Sequence, residues 1–122
     1  MSTQVLGPKQ AHLINVIRSG AYVQCTGGLV RDTSEGEKYC FLGAAAHLFG
    51  LDVGGGFLRG DDFKEIGLYN RFGGFREPVE FRGMKFNSLV DMNDGIGYIS
   101  LTFPEIADYI EQNPSNVFGV SL

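Results

Sequence analysis

Eighteen of the 122 residues are glycine, about twice the usual share. Glycine accepts φ > 0 without strain and weakens the interior of regular elements. A chain so punctuated is expected to fold as many turns and short elements. At this length it forms one domain, residues 1–122, able to bury roughly two-thirds of the surface of its unfolded chain. Ten Phe and five Tyr, with no Trp, supply the large core pieces. The expected class is α+β: a small single domain with about three main helices and short antiparallel strands or hairpins.

Pro8 suits the first turn of a helix, and Leu13, Val16, Ile17 and Ala11 follow at helical spacing up to Ser19, with Gly20 as the stop. Residues 21–25 read as a strand, with Val23 and Cys25 on one face and Tyr22 and Gln24 on the other. Gly27-Gly28 is a turn, and residues 29–31 return as a second strand. The polar stretch 32–38 reads as a loop. Residues 41–49 are apolar almost all round and read as a buried helix, where Gly43 and the alanines permit close packing. Residues 51–88 are the least regular. They offer a short helix at 61–68 and a small hairpin at 80–86 around Gly83. A helical turn at 87–92 ends in Asn93-Asp94-Gly95. Thr102-Phe103-Pro104-Glu105 is a capping box opening a helix that Asn113-Pro114 ends.

The net charge of −4 disfavours nucleic acid as a partner. Residues 1–90 hold ten basic and nine acidic residues, for +1; residues 91–122 hold five acids and no base, for −5. This acidic end reads as a solvated helix face, or as a surface meeting a basic partner. The two cysteines, Cys25 and Cys40, are too few for a disulfide scaffold. The first eight residues lack a signal pattern, and no apolar run approaches a membrane span. Reduced thiols in the cytoplasm, with no membrane, are therefore expected.

Cys40 precedes a helix, where the N-terminal field can activate a thiol. His47 stands seven residues on, about 10 Å by helix rise and too far for direct proton transfer. His12 would have to come from another helix. The apolar neighbours Tyr39, Phe41 and Leu42 favour a buried, structural Cys40. Cys25, Cys40, His12 and His47 match no metal-ligand spacing, and Asp91-Met92-Asn93-Asp94-Gly95 departs from a calcium loop. Gly54-Gly55-Gly56 lacks the lysine of a phosphate loop. No metal or cofactor is expected. Phe57-Leu58-Arg59-Gly60, Arg71-Phe72-Gly73-Gly74-Phe75-Arg76 and Phe81-Arg82-Gly83 interleave Phe, Arg and Gly as base-stacking segments do. Nearby acids almost cancel their charge, so a turn-rich subdomain with core phenylalanines is the simpler reading.

The order Arg18-Ser19-Gly20, Tyr22, Gln24, Gly28-Leu29 and Tyr39-Cys40-x-Leu42-Gly43 resembles the opening of a family of small uncharacterised proteins widespread in tailed-bacteriophage genomes and prophages. The family's closing pattern is similar to Asn93-Asp94 with Gly95 or Gly97, followed by Thr102-Phe103-Pro104-Glu105-Ile106-Ala107-Asp108-Tyr109-Ile110. The resemblance covers roughly residues 17–50 and 89–112. Where the family often has an acid or a second Cys late in the Cys40 helix, this chain has Ala46 and His47. The resemblance implies phage or prophage origin and action in the cytoplasm of a bacterial host; it supplies no substrate and no catalytic residues. Among the shared positions, Tyr22, Gln24, Asn93 and Asp94 are candidate ligand-binding residues, forming either a polar cleft or a self-satisfied turn. The leading expectation is a non-enzymatic binding module contacting a host protein or small ligand. The alternatives are a cysteine-dependent hydrolase or transferase using Cys40, and an assembly protein acting as a homo-oligomer through exposed phenylalanines of 57–86.

Overall fold

The computed structural model describes residues 6–27, 29–51, 58, 60–96 and 99–122. Gly28, Gly54, Gly55, Gly56, Phe57, Arg59 and Gly97, all singled out above, lie outside the described residues. The first helix, α1, is Pro8–Ser19, and Gly20 closes it in the left-handed conformation at φ 82°. Its buried residues are Gln10, Leu13, Ile14 and Ile17. This stripe is turned from the expected one: Ile14 and Gln10 face inward, and Val16 is only partly covered.

Two two-stranded antiparallel sheets follow in the order of the chain. The first pairs β1, Val30–Thr33, with β2, Gly36–Tyr39. The polar stretch 32–38 is thus most of a hairpin rather than a loop. Both strands are largely exposed, so no apolar alternation marks them. Residues 21–25, expected as a strand, contribute a single parallel bridge, Gln24 to Tyr39. Helix α2, Phe41–Leu48, then enters the core, with Phe41 to Ala46 all buried. A Cβ on Gly43 would overlap the carbonyl of Leu29, so the absence of a side chain lets α2 lie directly on that backbone.

After the short α3, Asp62–Ile66, the second sheet pairs β3, Gly74–Phe81, with β4, Met84–Ser88. Arg82 and Gly83 turn the hairpin at φ 52° and 81°, the positive-φ pair that a tight type I′ turn requires. The ladder is irregular between Gly74 and Val79, around Pro78, which has no N–H to offer it. Helix α4, Leu89–Asp94, is capped by Ser88, whose hydroxyl accepts the Asp91 N–H. Helix α5, Phe103–Gln112, carries the expected capping box between Thr102 and Glu105. Beyond Asn113 comes α6, Pro114–Val117.

The class is α+β. Six helices are present among the described residues rather than about three, because α3, α4 and α6 are four to six residues each. Helix α1 packs on α5, and α2 packs on α1 and α4. The core joins Leu13 and Ile17 to Phe41, Leu89, Met92, Phe103, Ile106, Ile110 and Phe118, all buried. Phe41 meets Phe103 edge to face at 6.1 Å between ring centres. Among the described residues no helix is long and apolar enough to cross a membrane.

Candidate functional site

Gln24 and Asn93, far apart in sequence, meet between α2, α4 and α5. The Gln24 Nε2 donates to Asn93 Oδ1 at 3.0 Å and to the Leu101 carbonyl at 2.9 Å. Its Oε1 accepts the Phe103 N–H, the first helical amide of α5, at 2.9 Å. Asn93 Oδ1 also accepts the Phe41 N–H, the first helical amide of α2, at 3.1 Å. Asn93 Nδ2 donates to the Cys25 carbonyl at 2.8 Å and to Asp94 Oδ1 at 3.0 Å. The first amides of a helix have no partner within it; here two side-chain amides supply one each. Asp94 Oδ1 further accepts the Gly27 N–H at 3.1 Å. These three residues are therefore brought together, with their polar groups turned onto one another and onto backbone.

Tyr22 goes elsewhere. Its hydroxyl lies 2.7 Å from His47 Nδ1, and its ring stands edge-on to Tyr39 with centres 4.9 Å apart. His47 also rests against Tyr39, at 5.5 Å between ring centres. Tyr22, Tyr39 and His47 make an aromatic group on the opposite face of residues 22–25 from Cys25.

Cys40 is the N-cap of α2, and its Sγ accepts the Gly43 N–H at 3.4 Å. Only 6% of the residue is exposed, and burial pushes its thiol up to about 11 despite the helix amides. His47 is engaged with Tyr22 at the far end of α2. His12 lies beyond it, against Lys9, Leu48 and Phe49 at a shallow depression. The arrangement gives Cys40 neither a lowered pKa nor a histidine base. Among the described residues no group of three or more His, Cys, Asp or Glu could hold a metal ion.

Beside the amide network lies a cavity of about 200 Å³. Buried Leu29, Cys40, Leu42, Leu58 and Leu89 line its floor, and Asn93 closes one end. Arg71, Phe72 and Asp94 stand exposed at its mouth. Phe72 is 52% exposed, with the Arg71 guanidinium 5.0 Å from its ring centre. Of the described phenylalanines between 57 and 86, Phe86 is fully buried, Phe63, Phe75 and Phe81 are partly buried, and Phe72 projects. Sequence patterning placed Arg71 and Phe72 in a Phe/Arg/Gly segment. Nothing local signals that the chain folds this segment against the start of α4, where the Leu89 and Val90 N–H groups donate to the Gly73 and Phe72 carbonyls.

The acidic C-terminal region is largely self-paired. Arg18 contacts Asp108 at 2.6 Å and Glu111 at 3.0 Å, tying α1 to α5. Arg82 meets Glu105 at 3.0 Å, and Asp91 Oδ2 accepts the Asn87 N–H at 2.9 Å. With Asp94 in the amide network, all five acids of residues 91–122 have partners within the chain. The Arg18 guanidinium holds the Glu111 carboxyl below its ordinary range.

No family model matches this chain, and no curated protein or solved structure does either.

Proposed function

We propose that the chain is a non-enzymatic, phage-type binding module whose cavity between α2, α4 and Phe72 receives one apolar side chain of a host protein. The observation that carries this reading is the leucine-lined cavity with an exposed arginine–phenylalanine pair at its mouth. At about 200 Å³ it is smaller than the ~300–1,000 Å³ of pockets that enclose whole ligands, and its size suits a single anchoring residue. Exposed aromatic and arginine residues beside an apolar pocket are the composition of binding hot spots. The resemblance to phage proteins favours a partner in the bacterial host cytoplasm. A cysteine-dependent hydrolase or transferase finds less support, since Cys40 has neither a lowered thiol pKa nor a histidine base beside it.

The test is selection of random peptides on the immobilised chain, followed by binding of the selected peptides to variants. The expected result is enrichment around one large apolar residue, with binding lost in Phe72→Ala and in the cavity-filling Val90→Trp, both confirmed folded by circular dichroism. Peptides that bind Val90→Trp as well as the unaltered chain would overturn the assignment of the cavity. Absence of any enriched motif would overturn the single-anchor reading.

A further inference from the structure

The parallel bridge between Gln24 and Tyr39 has a consequence for the two cysteines that follow them. The Tyr39 N–H donates to the Val23 carbonyl at 2.7 Å, and the Cys25 N–H donates to the Tyr39 carbonyl at 2.8 Å. This pair of bonds brackets Gln24 against Tyr39. In parallel register the next residues, Cys25 and Cys40, are then opposite each other. Side chains alternate faces along extended chain. Cys25 and Cys40 therefore share the face opposite that of Gln24 and Tyr39. Neighbouring extended segments lie about 4.8 Å apart, within the ~4.4–6.8 Å Cα separation of disulfides.

Asn93 holds both partners in place. It donates to the Cys25 carbonyl at 2.8 Å and accepts from Phe41, the residue after Cys40, at 3.1 Å. The Cys40 N–H donates to the Leu29 carbonyl at 3.0 Å, which fixes the Cys40 backbone from its other side. Both residues are thiols in the structure; Cys25 is partly exposed and Cys40 is buried.

We propose that Cys25 and Cys40 form a thiol-oxidation site whose substrates are low-molecular-weight disulfides such as glutathione disulfide. Cys25, the accessible thiol, loses its proton to solvent and attacks one sulfur of glutathione disulfide. A Cys25–glutathione mixed disulfide forms and one glutathione thiolate leaves. Cys40 then loses its proton and attacks the Cys25 sulfur, expelling the second glutathione. Two protein thiols are oxidised to one disulfide and glutathione disulfide is reduced to two glutathiones, which balances the exchange. The bond ties Cys25 onto the first turn of α2. Gly27, Leu29 and Cys40 line the leucine cavity, so oxidation changes that cavity's wall. The pairing itself does not depend on what the cavity binds.

The experiment equilibrates the reduced native chain with glutathione redox buffers, quenches it with acid, and maps the thiols by intact mass and peptide mass spectrometry. The same equilibration in concentrated urea gives the value for the unfolded chain. The expected result is loss of two hydrogens and a Cys25–Cys40 linked peptide, with an equilibrium constant at least about tenfold larger in the native chain than in urea. A native constant no larger than the unfolded one would overturn the proposal, as would a persistent Cys25 adduct beside a free Cys40 thiol. In Cys40→Ser the Cys25 adduct should accumulate, and in Cys25→Ser the remaining thiol should resist modification until urea is added. Fast native labelling of Cys40 in Cys25→Ser would overturn the order of attack.

Discussion

Asn93 uses both acceptor positions and both amide hydrogens on groups of four residues: Gln24, Phe41, Cys25 and Asp94. It is 1% exposed, so water cannot replace these partners. Leaving a buried polar group unpaired costs about 1–3 kcal/mol. Asn93→Ala strands the Phe41 N–H and the Cys25 carbonyl, and should lower unfolding free energy by about 2–4 kcal/mol. Urea denaturation reads this as a lower midpoint at unchanged slope; a shift no larger than that of exposed Asn87→Ala would contradict it. Cys40 gives a second test. Its thiol titrates at about 11 when folded and near 9 when unfolded, so between these values the folded chain holds the extra proton. Stability must therefore fall as pH rises from about 9 to 11, by about 2–3 kcal/mol at the end of that window. Cys40→Ala should make this part of the profile shallower; Cys25, raised by burial, adds the same sign in the window, and Tyr22, Tyr39 and Tyr109, also raised by burial, add it above about pH 10. The sequence brought Gln24, Asn93 and Asp94 forward together through the resemblance, and they do meet in space. What they bond to was illegible, because the backbone partners come from segments up to 79 residues away. Tyr22 stands two residues before Gln24, outside the single bridge, and its ring finds Tyr39 and His47 instead.

Elements with strong local chemistry were legible. Pro8 and Gly20 bound α1, and the Thr102–Glu105 box with Asn113-Pro114 bounds α5. The hairpin of β1 and β2 was legible only at Val30 and Arg31, within the strand expected at 29–31; residues 32–38 are largely exposed and carry no period to read. The strand at 21–25 failed for the opposite reason: its alternation is real, but Gln24 spends its side chain holding α5 and the backbone pairs at one bridge only. Gly43 is where an element and its neighbour constrain each other most. Alanine is worth about 1 kcal/mol more than glycine in a helix interior, so propensity alone favours Gly43→Ala. The new Cβ would meet the Leu29 carbonyl, a backbone atom that cannot rotate away. Overpacking of this kind costs about 1–3 kcal/mol or more, and it should win. Thermal unfolding of Gly43→Ala should show a lower midpoint; a rise would mean that α2 slides on Leu29 freely.

At the scale of the whole molecule, polar side chains join the ends of the chain to its middle. Gln10 is fully buried in α1. Its Nε2 donates to the Ile66 and Val120 carbonyls at 3.1 and 2.9 Å, and its Oε1 accepts the Gly7 and Leu122 N–H groups at 3.1 and 3.2 Å. The Leu122 carbonyl in turn accepts the Lys9 and Gln10 N–H groups at 2.8 and 3.0 Å. Gln10 occupies the same stripe as Leu13, Ile14 and Ile17, three, four and seven residues on, which is the signal by which sequence could have found it. A glutamine on an apolar stripe is legible as buried, yet its partners are not, because three of its four bonds reach beyond its own helix. Removing either side of this joint should loosen the same structure. Gln10→Ala leaves four backbone groups and a void, and deletion of residues 120–122 takes away Val120 and Leu122 as partners. Each should cost about 2–4 kcal/mol in urea unfolding. Because the two changes break shared bonds, their combination should cost less than the sum by about 1 kcal/mol or more, as coupled sites do. Strictly additive losses would show that Gln10 and the 120–122 segment contribute separately, and that the fold is held at its ends by packing of Val117 and Phe118 instead.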